Sequence, residues 1–463
     1  MMSSVKTTQR IALWLGFALV LMLAAYLRFV AATTTIVDYP IRNDAKDYVA
    51  YSVNWKYAGT YSRAVTWMPD PSITWPPKEH FDKALPDAVR PPGYPAFLRL
   101  FVPPVPGPEF VRTAMLVQAG MGVLIVAIVF LLARVLFSSA VAALLAMLLA
   151  ALSPHLIVME TYLLSETLYT LLLVIGVGTS LWAMRCEKEF TQRGAAAVCG
   201  ALLALCCLVR PTLEQLPWIV LSATLLVPRL RPYRTWILCG FLGFVAVMAP
   251  WWIRNLGVIG HLTDSSLMAQ SLHHGSYPDF MYNGDRASFG QPYAYDPDTK
   301  NAEASVSSAV NAIVQKFAAE PGRYAYWYTI GKIKFFFDWV VVRAPQDIFT
   351  YPELATPFRT NKFFVLVHAI MFGLHWPLVI AGLLGMVSAW TRLPRAIFAQ
   401  PQIHGMRLLS ALLAYAILVH IAVAPFARYS IPFRPLTYLL ALMTLLIGAK
   451  WIRELRRKVP VMT

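Results

Sequence analysis

The chain has 463 residues, 58% of them hydrophobic and only 14% charged, with a formal net charge of +16. A soluble domain carries about 25% charged residues, so a water-soluble globular protein is excluded: too little polar surface would be left to cover so apolar an interior. The positive charge is also too unevenly placed for a nucleic-acid face. Segments 1–10, 133–139, 184–193, 228–236, 391–407 and 450–463 hold 17 Lys and Arg against 3 Asp and Glu, while 33–110 and 254–362 hold 8 against 8 and 10 against 10. Lys and Arg concentrate in short cytoplasmic loops, so the basic pI reflects membrane topology and no nucleic-acid partner is expected.

The apolar residues come in blocks of about 17–25, the length that crosses roughly 30 Å of hydrocarbon. In chain order the predicted spans are 11–32, 111–133, 140–157, 163–183, 194–209, 212–228, 236–253, 363–390, 407–424 and 431–449. Ten spans put both termini in the cytoplasm and leave 33–110 and 254–362 as large loops on the outer, periplasmic face of a bacterial inner membrane. The expected fold is an all-α polytopic membrane protein, read as one domain over 1–463. Lys6 and Arg10 before the first apolar run imitate a signal peptide, but the run is long enough to span and no small-residue cleavage site follows it.

The first large loop opens with Ile41-Arg42-Asn43-Asp44-Ala45-Lys46-Asp47-Tyr48, the start of a helix. At 3.6 residues per turn Asp44, Asp47, Tyr48, Tyr51 and Trp55 share one face. Two carboxylates and three aromatics there suit a sugar site beside a membrane. Asp44-x-x-Asp47 equally fits a capping pattern, in which a side-chain oxygen satisfies a free helix N–H. The proline-dense stretch from Met68 to Pro108 contains Arg90-Pro91-Pro92-Gly93-Tyr94-Pro95. Proline fixes φ and removes donors, so this backbone is predicted stiff and non-helical until Ala96. It either holds Arg90 and Tyr94 against the membrane or merely returns the chain to the second span.

The short outer turns carry Ser165-Glu166-Thr167, Val209-Arg210-Pro211 and Arg428-Tyr429-Ser430-Ile431-Pro432. One ionisable group at a span end is usually snorkelling. With Arg90 and Arg254, however, four arginines and a glutamate meet at one membrane face. The second large loop is entered through Ala249-Pro250-Trp251-Trp252-Ile253-Arg254-Asn255. It passes His273-His274, a weak metal candidate because adjacent side chains point apart. Segment 324–343, interrupted by Lys332, Lys334 and Asp338, reads as lying along the interface. The five cysteines sit in or beside spans, with none in the large loops and no zinc-type spacing. No internal repeat is visible. Transporters keep their ionisable groups mid-membrane at repeat interfaces, whereas the polar residues here lie at the outer surface.

In order along the chain, Asp44-Ala45-x-x-Tyr48, Arg90-Pro-Pro-Gly-Tyr-Pro, Leu164-Ser165-Glu166-Thr167, Leu208-Val209-Arg210-Pro211, Ala249-Pro250-Trp251-x-Ile253-Arg254-Asn255 and Arg428-Tyr429-x-x-Pro432 resemble the type-C, membrane-embedded glycosyltransferases. The resemblance is to the bacterial family 39-like group, relatives of protein O-mannosyltransferases and of the aminoarabinose transferase that modifies lipid A. It implies an outer-leaflet cavity between the first large loop and the helical bundle, a polyprenyl (undecaprenyl) monophosphate sugar donor, and inversion at the anomeric carbon. Asp44 stands at the family's key carboxylate, with Asp47 nearby. Arg90, Arg254, Arg428 and Arg210 would contact the donor phosphate, and Tyr94, Glu166 and Tyr48 would support them. Ser271-Leu272-His273-His274-Gly275 departs from the family's simpler Gly/Asn-rich pattern, which leaves the acceptor open among lipid A, a surface glycan and a protein. No ligand spacing identifies a divalent cation, and that question stays open. The alternative readings are a lipid-linked sugar flippase or transporter and a non-catalytic membrane assembly protein.

Overall fold

The computed structural model describes residues 2–66, 84–339 and 351–458. In chain order the elements that matter are α1 (Met2–Thr34), α2 (Asn43–Val53), α3 (Gly93–Arg99), α4 (Pro108–Phe137), α5 (Ala140–Leu152), α6 (Pro154–Met159), α7 (Glu166–Ala183), α8 (Glu189–Val209), α9 (Leu216–Leu226), α10 (Arg234–Ile259), α11 (Ser266–Gly275), α12 (Lys362–Ser388), α13 (Gln400–Ala422) and α14 (Arg434–Lys458). Among the described residues eight helices are long and apolar enough to cross a membrane, built on α1, α4, α7, α8, α10, α12, α13 and α14. Their outer faces are apolar: Ile11, Trp14, Leu15, Leu19 and Met22 on α1 are all exposed, as hydrocarbon rather than water requires.

The two remaining predicted spans are built from shorter pieces. Segment 140–157 divides into α5 and α6 at Ser153-Pro154, because a proline inside a helix loses a hydrogen bond and clashes with the preceding turn. Segment 212–228 keeps only the 11 residues of α9, with Pro211, Pro217 and Pro228 punctuating it. It still has to run the depth of the bundle, because α8 and α10 lie side by side in the same direction. Gly200 faces Gly240, and Leu208 lies with Val247 and Pro250 around one groove. A Cβ on Gly200 would come within 1.7 Å of the Gly240 carbonyl oxygen, so this close crossing depends on small residues.

At one end of the bundle the two large loops are tied together. Ile36–Val37 pairs antiparallel with Glu353–Ala355, and Asp38 N–H donates to the Pro352 carbonyl at 2.8 Å. Two loop expectations change. Helix α3 begins at Gly93 rather than Ala96, because Pro95 falls in the first turn, where its missing N–H has no helical partner to lose. Segment 324–343 is described to residue 339, and 340–343 lie outside the described residues. The described part packs inward: Trp327, Lys332 and Phe336 are buried, and Lys332 Nζ donates to the carbonyls of Ile421 and Val423 at the end of α13, both at 2.7 Å.

Candidate active site

Helix α2 starts from an extended Arg42 and a left-handed Asn43 (φ 46°), a conformation asparagine tolerates better than most residues. No side chain caps this end. The Ala45 N–H donates instead to the Tyr351 hydroxyl at 3.1 Å, and that hydroxyl donates to the Arg42 carbonyl at 2.8 Å. The capping reading of Asp44 is therefore overturned. Both of its oxygens face arginines: Oδ1 accepts from Arg90 Nη2 at 2.7 Å, and Oδ2 accepts from Arg428 Nη2. Arg90 also donates through Nε and Nη2 to Asp47 Oδ2, both at 3.1 Å.

A second acid continues the cluster. Glu166, in the first turn of α7, pairs with Arg210 Nη1 and lies 3.7 Å from Arg428 Nε. Arg210 Nη1 donates to Ser165 Oγ at 3.3 Å, and that oxygen is 3.4 Å from the Tyr48 hydroxyl. The Tyr429 ring takes the Arg210 and Arg428 guanidinium carbons at 4.6 and 5.3 Å from its centre. Tyr94 meets Tyr48 edge-on at 4.9 Å. Its hydroxyl donates to Gln118 Oε1 at 2.8 Å, while Gln118 Nε2 donates to the carbonyls of Glu160 and Tyr162 at 3.0 and 2.8 Å. Gly93 allows this assembly: a Cβ there would lie 2.7 Å from the Leu208 carbonyl oxygen, so only glycine lets the start of α3 sit against the end of α8 and bring Arg90 near Arg210.

The electrostatics follow from the pairing. Burial alone would raise the Asp44 carboxyl, but Arg428 and Arg90 outweigh it and hold the group well below the usual carboxylate range. Burial works against the Arg90 charge, and Asp44, Tyr48 and Asp47 more than compensate, raising it. Burial raises the Tyr48 phenol, which stays protonated. The cluster is not saturated. Arg428 Nε and both Glu166 carboxylate oxygens are buried within ion-pair distance but lack an aligned hydrogen bond. Buried polar groups normally have such partners, so these atoms retain capacity for a ligand. A guanidinium fork is geometrically suited to phosphate.

Eight of the nine predicted residues thus meet: Asp44, Asp47, Arg90, Arg428, Arg210, Glu166, Tyr48 and Tyr94. Arg254 does not join them. It donates to the carbonyls of Asp87 and Tyr61 at 2.6 and 3.1 Å. With Trp55, Tyr61 and Trp251 it lines a separate groove of about 570 Å³. Tyr351, Gln118 and Ser165 complete the site without having been singled out as site residues. Tyr351 had no signal to offer, being 309 residues from the backbone oxygen it holds. The histidine pair diverges as adjacent residues must. His273 lies 2.7 Å from the Tyr277 hydroxyl and 3.2 Å from Glu303, and His274 lies 3.1 Å from the Gly290 carbonyl oxygen. Among the described residues no group of three His, Cys, Asp or Glu side chains could hold a metal ion.

No family model matches the chain, and no curated protein matches it by sequence. Two structures of the oligosaccharyltransferase from Archaeoglobus fulgidus do resemble it. The enzyme AglB in complex with an inhibitory peptide and a dolichol-phosphate superposes with a TM-score of 0.52 at 14% identity, over 98% of this chain and 53% of that one. The form tethered to an acceptor peptide gives 0.51 at 13% identity, over 97% and 51%. ArnT from Cupriavidus metallidurans bound to undecaprenyl phosphate gives 0.41 at 15% identity, over 96% and 81%. The chain spans about half the length of the oligosaccharyltransferase chains it matches. It is a multi-pass, all-α membrane protein with the type-C glycosyltransferase fold.

Proposed function

We propose that the chain is a glycosyltransferase that moves a sugar from a polyprenyl monophosphate, undecaprenyl phosphate in a bacterium, to an envelope acceptor on the periplasmic face of the inner membrane. The observation that carries this is the seating of Asp44 between Arg90 and Arg428, beside the Arg210–Glu166 pair, at one end of a membrane bundle. The archaeal enzyme of similar fold was solved with a dolichol-phosphate, and a lipid phosphate is the ligand to which three clustered arginines are chemically matched.

In this reading the donor phosphate lies against Arg428 and Arg210, with Arg90 behind. The acceptor oxygen bonds to the anomeric carbon from the face opposite the phosphate. The carbon–oxygen bond to phosphate breaks, and its electron pair leaves with the polyprenyl phosphate. The arginines stabilise the charge gathering there, as preorganised donors do in a site shielded from water. Asp44 receives the acceptor proton. With two arginines on it Asp44 is a weak base. A phosphate that draws Arg428 away raises its proton affinity, so the base is strengthened when the donor is in place. Tyr48, Tyr94 and Glu166 hold the arginines in register. No step is routed through a metal.

The test is mass spectrometry of lipid-linked sugars and envelope glycans from cells with and without the protein. Loss should remove one glycan modification and leave its polyprenyl-phosphate sugar to accumulate. Unchanged glycans and unchanged lipid-linked sugars would overturn the reading.

A further inference from the structure

At the other end of the bundle a cavity of about 710 Å³ lies among α7, α8, α9, α10 and α13. Its walls are apolar, with Leu173, Leu203, Val220 and Phe244 among them. It exists because α9 has 11 residues where its neighbours α8 and α10 have 21 and 26, too few to fill the space between them. Towards Asp44 the cavity stops at Leu213 and Cys206, both buried. In the other direction Met184, Gln192 and Pro401 also line an open recess that includes Arg185 and Gln402. Access is therefore from the face opposite Asp44. Along α8 the lining runs from Gln192 to Cys206, about 21 Å at 1.5 Å per residue. One leaflet is roughly 15 Å deep, half of about 30 Å of hydrocarbon.

The rim on that face carries Arg229, Arg231 and Arg234, all exposed and none in an ion pair among the described residues. Tyr233 and Trp236, in the same stretch, line the cavity itself. Aromatic side chains at headgroup depth and basic residues beside a cleft between spans are how proteins recognise anionic lipids.

We propose that this cavity holds the acyl chains of an anionic phospholipid from the leaflet opposite Asp44, with its phosphate against Arg229, Arg231 and Arg234. The apolar walls take the chains, the depth accommodates their full length, and the three unanswered charges select an anionic headgroup over a zwitterionic one.

The experiment is native mass spectrometry of the purified full-length protein given equal amounts of phosphatidylglycerol and phosphatidylcholine. The wild type should retain phosphatidylglycerol in clear preference. Replacing the arginines by glutamine, singly and together (R229Q, R231Q, R234Q), should weaken that retention roughly fivefold for each arginine removed. Exposed substitutions of this kind usually leave stability nearly unchanged. Val220→Trp, which fills the cavity from α9, should lose both lipids. Equal retention of the two lipids, or phosphatidylglycerol retention unchanged in the triple or the Val220→Trp variant, would overturn the proposal. Displacement of bound phosphatidylglycerol by added polyprenyl phosphate would overturn it too, by making the cavity part of the donor site. Because the readout is lipid binding, failure here is distinct from failure of the glycosyltransferase reading.

Discussion

The two ends of this helix bundle treat arginine in opposite ways. At the Asp44 end Arg90, Arg210 and Arg428 are largely buried, and each is answered by a carboxylate. At the other end Arg229, Arg231 and Arg234 are exposed and unanswered among the described residues. The difference is dielectric: a charge taken out of water needs a partner, and one left in water does not. Arg254 stands between them, half-sheltered and held by two backbone carbonyls. The paired end is where removing one partner has consequences, and the following changes measure how large they are.

Asp44→Asn carries the greatest effect. It removes the proton acceptor and leaves Arg90 and Arg428 without the charge between them, so turnover should fall by roughly 10²–10⁴. Stability should fall as well, with a definite pH dependence. The Asp44 carboxyl is held below its ordinary value, near 3.9 in an unfolded chain. Its contribution is therefore fully present above that value and is lost as pH falls through the folded value. Thermal unfolding should show a constant gap between wild type and Asp44→Asn from pH 5 to 8 that narrows in acid. Near-wild-type turnover would remove Asp44 from the chemistry.

The arginines come next. A hydrogen bond to a charged group contributes about 1.5–3 kcal/mol, so Arg428→Ala should weaken binding of polyprenyl monophosphate roughly 10- to 150-fold. Lysine there should rescue only partly, keeping the charge but not the fork. Arg254→Ala should change donor affinity much less, because its guanidinium is committed to the Tyr61 and Asp87 carbonyls. Binding assays in nanodiscs on the two variants compare them directly, and equal losses would erase the distinction between cluster and groove.

Gly93→Ala tests the packing beneath the cluster. The added methyl would sit 2.7 Å from the Leu208 carbonyl oxygen, and overpacking of this kind typically costs about 1–3 kcal/mol. Gly107→Ala, where a Cβ meets nothing within 4 Å, should be nearly silent in the same thermal-unfolding measurement. If both behave alike, the close approach of α3 to α8 is not what sets Arg90.

The smallest effect concerns Lys332, a buried cation answered by carbonyls and, among the described residues, by no carboxylate. Burial lowers it to about 6. Between pH 6 and the ordinary lysine value near 10.4 the unfolded chain binds the extra proton, so stability should rise with pH over that interval. Lys332→Met should lack that slope. Identical pH profiles of melting temperature would show that Lys332 keeps its proton when folded.

Much of this was legible in the residues themselves. Apolar runs and the lopsided placement of Lys and Arg determined a multi-pass helical protein, because spanning length and loop charge are local properties. Motif order picked out Asp44, Arg90, Glu166, Arg210 and Arg428, and helical periodicity put Asp44, Asp47 and Tyr48 on one face. Tertiary structure alone decided the rest. Whether Asp44 caps its helix or meets arginines depends on Tyr351, which reaches Ala45 across 306 residues, and on Arg428, 384 residues away. No pattern within one segment encodes such a meeting. Arg254 shares the motif character of the other arginines, yet the loop fold gives it to the Tyr61 and Asp87 carbonyls. The cavity on the opposite face arises from a mismatch in helix length between α9 and its neighbours, and a void becomes definable only once the elements around it are packed.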